Sequence, residues 1–146
     1  MYTASTVAKY VIWRMKKGDL GNQGVSNSRL QKILYFLQAE KLMRDNYPLF
    51  GDDIVASSFG PIIPDVYMNY KTFGDRTIPM SNMDRKFCIT VEDRNGIDKM
   101  LKSLDRYPTS ALTSITMKQS PWRKNYSPQH QNIIPNEDII ECLNRA

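Results

Sequence analysis

Ser57-Ser58-Phe59-Gly60-Pro61-Ile62-Ile63-Pro64-Asp65-Val66-Tyr67-Met68-Asn69-Tyr70-Lys71 holds one glycine and two prolines within five residues, then opens into helical spacing. Pro61 has no N–H to give a sheet ladder, and Gly60 can take backbone angles that strain other residues. Pro64 has a fixed φ suited to the first turn of a helix, and Asp65 complements the helix dipole. Val66, Tyr67, Tyr70 and Phe73 then form one apolar stripe, with Gly74 placed as a C′ glycine. The stretch therefore reads as a strand that ends, turns through a rigid Gly60-Pro61 corner and feeds a short amphipathic helix.

Upstream, Asp52 to Ser58 carries Ile54, Val55 and Ala56 and reads as the strand. The strongest helical pattern runs from Arg29 to about Asp45, capped by Ser26 or Asn27 and stopped by Tyr47-Pro48. Leu30, Ile33, Leu34, Tyr35, Phe36, Leu37 and Leu42 make it apolar on more than one side, so neighbours must surround it. A first helix, capped by Thr3 or Ser5, reaches about Lys17, and Gly18, Gly21 and Gly24 mark a loop after it. Downstream, residues 75–85, with Pro79, Asn82 and Asp84, form a polar connection. Phe87-Cys88-Ile89 is either a strand or the approach to a helix. Thr90 and Asp93 resemble a capping box for a helix continuing to Tyr107. Another helix starts at Thr109 or Ser110 and ends at Ser120-Pro121-Trp122, before a polar loop through Gln131. Ile133-Ile134-Pro135 is extended, and Asn136 to Asn144 closes the chain as a helix. The expected fold is mainly α: a compact bundle of five or six helices around a central apolar helix, with a small β element, in a single domain over residues 1–146.

That domain of 146 residues is large enough for one core, and 41% hydrophobic with 24% charged residues is ordinary for a soluble globular protein. The net charge of +5 permits an acidic partner. It is evenly spread, with nine basic and six acidic residues in 1–73 and eleven and nine in 74–146, and there is no basic run. A solvated mixed-charge surface is the favoured reading, and nucleic acid is an unlikely partner. Cys88 and Cys142 stand far apart with no C-x-x-C, as suits two buried thiols in a reducing cytoplasm. The N-terminus lacks the pattern of a signal peptide and no apolar run reaches membrane-spanning length, so a cytoplasmic chain with no membrane association is expected.

No catalytic constellation emerges. His130, the single histidine, lies in a loop without a carboxylate or cysteine motif to orient it. Asp52-Asp53 lacks the other ligands of a calcium loop, so no metal site is expected, and no cofactor either. There is no phosphate-binding glycine motif and no G-x-S-x-G elbow. Of the aromatic residues, Tyr35, Phe36, Tyr67 and Tyr70 fall at helical spacing and are expected in the core. Trp122 follows a proline at a helix end, where it clamps a loop to the body, and Trp13 sits off its helix stripe as a candidate surface or oligomer contact. Phe59 and Tyr67 flank the Gly60-Pro61 corner and are the aromatic groups it would display.

Three separated segments resemble one family. Leu30-Gln31-Lys32-Ile33-Leu34-Tyr35-Phe36-Leu37-Gln38 is similar to its KLQKLLYY helix, and Ser58 to Tyr67, with Gly60, Pro61 and Pro64, to its YGPVVPEVY turn. Thr116, Ser120-Pro121-Trp122 and Ile134-Pro135-Asn136-Glu137 are similar to its TH…PW…IPNE tail. The family is the SocA-like Panacea domain, also described as the GepA or phage-associated protein family. The resemblance implies a non-enzymatic antitoxin, encoded beside a toxin on a prophage or other mobile element and neutralising it by direct contact. One branch of the family looks like a proteolytic adaptor that delivers its toxin to an AAA+ protease. Met117 stands where the family commonly has histidine, and Gln119 stands near its usual acidic residue.

The expected function is thus an antitoxin that binds a cognate toxin, with Phe59, Gly60, Pro61, Tyr67, Met117, Gln119 and Trp122 as candidate partner-binding residues. Leu30, Gln31, Leu34, Tyr35, Pro64, Pro121 and Pro135 are expected to serve the architecture. The alternative is a phage-encoded modulator that binds a host defence protein. A nucleic-acid-binding regulator is a third reading and rests on the +5 charge alone.

Overall fold

The Ser26 hydroxyl accepts the Arg29 N–H at 3.2 Å, so the central helix α2 begins at Asn27 and runs to Asp45. It closes at Asn46, which takes the left-handed conformation with φ 52° while its N–H bonds the Leu42 carbonyl. The computed structural model that shows this describes residues 1–17, 20, 24–80 and 87–145. Gly18 and Gly21 of the expected glycine loop, and Asn82 and Asp84 of the polar connection, lie outside the described residues. Leu30, Ile33, Leu34, Tyr35, Leu37 and Leu42 are all buried. Around α2 pack α1 (Ala4–Lys16), α3 (Pro64–Tyr70), α4 (Val91–Leu104), α5 (Thr109–Lys118) and α7 (Asn136–Asn144). The protein is mainly helical with a small antiparallel sheet, as the periodicity predicts.

The apolar pattern conceals a second function of α2. Asn27, Gln31, Lys32 and Gln38 are buried polar residues on it, and three of them peg the surrounding chain. Gln38 Oε1 accepts the N–H groups of Leu49 and Phe50 at 2.8 and 3.1 Å, and its Nε2 donates to the Phe50 carbonyl at 2.9 Å. Gln31 Oε1 accepts the Ile63 N–H at 2.8 Å and its Nε2 donates to Asn27 Oδ1, while Asn27 Nδ2 donates to the Tyr67 carbonyl. Each amide side chain satisfies backbone groups that would otherwise be desolvated without a partner. Arg29 does the same for the end of α4, donating to the carbonyls of Leu104 and Tyr107 at 2.9 and 2.7 Å.

The sheet has the order β2-β1-β3, from β1 (Ile54–Ser57), β2 (Gly60–Ile62) and β3 (Asn132–Ile134). This corrects the reading of Gly60-Pro61 as a corner. The chain turns one step earlier, at Ser58-Phe59, and Gly60 and Pro61 belong to the returning strand, paired with Ser57 and Ala56. Proline is tolerated because β2 is an edge strand, where one side of the backbone has no ladder to serve. Pro64 then opens α3 as expected, and the helix ends in a 3₁₀ turn over Lys71–Phe73.

A second correction concerns Ser120-Pro121-Trp122, expected to end a helix before a long polar loop. It begins one instead, α6 (Ser120–Asn125), with the proline in the first turn, where a missing N–H costs nothing. Seven α-helices therefore stand among the described residues, against the five or six expected. Phe87-Cys88-Ile89 forms no strand, and Cys88 is exposed while Cys142 is half-buried, so neither thiol is the buried apolar group expected. Trp13 is not a free surface contact. It packs on the core between Tyr10 and Phe87, with ring centroids 5.8 and 5.5 Å away, and Lys17 caps its ring.

At the other end of the molecule Thr90 caps α4 by accepting the Asp93 N–H. Burial alone would raise the Asp93 carboxyl, but hydrogen bonds from Tyr2 and Lys41 and the Lys41 charge outweigh it, pulling it from 3.8 to about 2. The native state thus favours the carboxylate, so this stabilisation is complete above the ordinary aspartate range and is lost as pH falls towards 2. We expect Asp93 to contribute about 2 kcal/mol at neutral pH, most of it gone near pH 2. Urea unfolding of wild type and Asp93→Asn across that range checks it; a stability gap that stays constant with acid contradicts it.

Candidate functional site

The hairpin tip is built so that one aromatic group must face water. Ser57 is buried and closes the turn with its side chain, whose hydroxyl donates to the Gly60 carbonyl at 2.7 Å and accepts the Phe59 N–H at 3.1 Å. Trp122 fixes the same strand from behind, its Nε1 donating to the Ser57 carbonyl at 2.8 Å while its ring stacks on Tyr126 at 4.5 Å. With both neighbours tied down, Phe59 projects outward and is 67% exposed. Met68, on the solvent side of α3, is 63% exposed. Two large apolar side chains on adjoining elements mark a surface patch of the kind that partners cover.

Two clefts border this patch. One, of about 410 Å³, lies over Ile62 and Pro64, between the hairpin, α3 and the segment 126–131. The other, of about 220 Å³, lies between α2, the hairpin and α3. Phe59, Ile62, Tyr67 and Lys71 line both, so they form the ridge between them. Tyr67 is half-buried, and its hydroxyl has no hydrogen-bond partner among the described residues, nor does the Lys71 ammonium have an ion-pair partner there. His130 lines the larger cleft from an exposed loop position.

Lys32 lies in the smaller cleft. It is 1% exposed, a charged side chain on the buried face of α2, and its alkyl stem runs under Gly60. Gly60 has φ +96°, and a Cβ there would stand 3.0 Å from Lys32 Cε and 3.3 Å from Thr116 Oγ1. Glycine is thus required twice, by the backbone angle and by the close approach of Lys32 and the buried Thr116. Desolvation lowers the Lys32 ammonium from 10.5 to about 8, and Asp75, which lines the same cleft, makes no ion pair with it.

The candidate partner-binding residues therefore separate. Phe59 and Tyr67 meet on the ridge, although helical spacing placed Tyr67 in the core. Gly60 and Pro61 are buried in β2 and shape the tip, and Trp122 braces it from behind. Gln119 accepts the hydroxyl of buried Tyr35 at 2.9 Å and lines neither cleft, and burial keeps that phenol protonated by raising it well above its ordinary value. Met117 is half-buried on α5 and lines neither cleft. Leu30 and Leu34 are core, Gln31 holds the approach to Pro64, Pro121 is buried in α6, and Pro135 precedes α7. Sequence reasoning singled out neither Lys32 nor Lys71 nor Met68. The signal that could have found Lys32 is a charged residue between Gln31 and Ile33 on the inner side of an otherwise apolar helix. Among the described residues no three His, Cys, Asp or Glu side chains are grouped to hold a metal ion, and no helix is long and apolar enough to cross a membrane.

The family described as antitoxin SocA-like, Panacea domain, matches residues 30–123, which run from α2 through the hairpin to the start of α6. Of the tail motif, Thr116 and Ser120-Pro121-Trp122 fall inside that match and Ile134-Pro135-Asn136-Glu137 falls outside it. Antitoxin SocA of Caulobacter vibrioides is 28% identical over 109 residues, or 67% of this chain, and the chain spans 58% of that relative's length. No solved structure matches. The central helix from Leu30, the hairpin and the Pro-Trp segment lie within the matched range, and this chain belongs to the antitoxin SocA-like, Panacea domain family.

Proposed function

We propose that the chain is a non-enzymatic antitoxin that neutralises a cognate toxin by direct protein contact, with residues 1–146 acting as one unit. The observation that carries this is the ridge of Phe59 and half-buried Tyr67 inside the family-matched region, with Phe59 exposed at the tip of a hairpin tied down on both sides. A rigid tip presents an aromatic anchor with little ordering entropy lost on binding. The relative's printed name, antitoxin, supports the same class of partner. Such a protein would act in the cytoplasm, where its toxin is made.

Co-expression with the product of the adjacent reading frame tests the reading. The expected result is that the neighbour arrests growth alone and that this chain restores it. A neighbour that is harmless alone, or whose toxicity is unaffected, overturns it and turns attention to a host protein as partner. Tyr67→Ala is expected to keep the wild-type circular dichroism and to weaken partner binding by about 2 kcal/mol, the scale of an aromatic hot spot. Normal binding by the folded variant would move the contact surface elsewhere.

A further inference from the structure

Lys32 is an unusual group to find buried. A lysine ammonium without a counter-charge is costly inside a protein, and natural cores hold one only where something compensates or uses it. No protein group compensates: no hydrogen bond or ion pair reaches its Nζ among the described residues, and the ammonium meets only the solvent of the cleft. The ammonium is still mostly protonated at neutral pH, since burial brings it only to about 8. It faces a cleft open to solvent, whose other charged lining residues are Lys71 and Asp75. An anion entering that cleft would meet an ammonium with no protein counter-charge in contact.

The surroundings narrow the anion. The cleft has Phe59, Ile62 and Tyr67 on one side and the amide side chains of Asn27 and Gln31 on the other, a lining suited to a short acidic side chain carried by an apolar segment. The Asn27 and Gln31 amides are already spent on each other and on backbone groups, so open capacity in the cleft lies with the Lys32 ammonium, joined at the rim by the Lys71 ammonium and the Tyr67 hydroxyl. Pro61 removes a donor from the β2 edge, so an incoming chain gains less by adding a strand there and more by placing side chains in the clefts.

We propose that this cleft receives an aspartate or glutamate side chain of the protein partner, its carboxylate pairing with Lys32 Nζ while adjacent apolar residues of the partner cover Phe59 and Tyr67. The inference rests on the reading of this face as the partner surface and adds the chemistry the partner must bring. Pairing in a desolvated cleft gives specificity, because a partner lacking the carboxylate leaves the ammonium buried and unpaired.

The test uses the full chain, isotope-labelled for NMR, and three probes: acetyl-Phe-Glu-amide, acetyl-Phe-Gln-amide and inorganic phosphate. The expected result is a saturating shift of the Lys32 side-chain resonances with the glutamate peptide and about tenfold weaker binding of the glutamine peptide. Lys32→Met, and Lys32→Gln as a second variant, should fold and lose the preference for glutamate. Equal binding of the two peptides, no response at Lys32, or a phosphate response as strong as that of the glutamate peptide overturns the proposal, the last by making this a small-anion site. The outcome is separable from the antitoxin reading. Toxin suppression that survives Lys32→Met but not Phe59→Ala leaves that reading and removes the carboxylate site. A glutamate-specific response without toxin suppression does the reverse.

Discussion

Gly60→Val should destabilise the protein by about 3 kcal/mol or more, the sum of a strained left-handed backbone and a steric collision. The backbone angle of +96° is one that a β-branched residue adopts only at high cost. The new Cβ would stand 3.0 Å from Lys32 Cε and 3.3 Å from Thr116 Oγ1. Lys32 can swing its end toward the cleft, but Thr116 cannot retreat easily, because its side chain is buried and bound to the Thr113 carbonyl. The hairpin would have to lift away from α2 and α5, which would displace Phe59 as well, so stability and partner binding should fall together. Urea denaturation measures the first and co-expression the second. A loss below about 1 kcal/mol would show that β2 is free to shift and that the tip is not rigid.

Leu34→Ala is the other large effect. Leu34 is wholly buried on the helix that five others contact, so truncation removes apolar burial and leaves a cavity that rigid helices cannot close. The expected cost is about 2–5 kcal/mol in chemical denaturation, with partner binding by the folded fraction unchanged. A change under about 1 kcal/mol would contradict the position of α2 at the centre.

What was legible in the sequence was what periodicity encodes. The apolar run of Leu30, Ile33, Leu34 and Leu37 announced a helix with neighbours on several sides, and Thr90 with Asp93 announced the start of another. The misread segments are those where proline does two jobs. Pro61 signals a turn locally but sits in an edge strand, a tertiary fact. Pro121 can end one helix or begin the next, and here α5 and α6 meet at Gln119 with almost no loop between them.

The candidate site was half visible. Phe59 and Tyr67 followed from their place beside Gly60, but Met117, Gln119 and Trp122 were grouped with them only by family pattern. The structure assigns Gln119 to Tyr35 and Trp122 to the Ser57 carbonyl. Lys32 was hidden because a lysine beside a helix stripe ordinarily extends its ammonium to water. Only the hairpin lying across α2 buries it. The same hairpin presents Phe59 and covers Lys32, so one local structure creates both the apolar anchor and the charged cleft.

Phe59→Ala tests the central claim with least interference, since an exposed side chain can be removed without touching the core. Calorimetric titration of wild type and variant with the purified product of the adjacent reading frame is the measurement. The account predicts a variant with unchanged unfolding behaviour and an affinity weaker by about 2 kcal/mol, roughly thirtyfold. An affinity equal to wild type would contradict it and place the toxin-binding surface away from the hairpin.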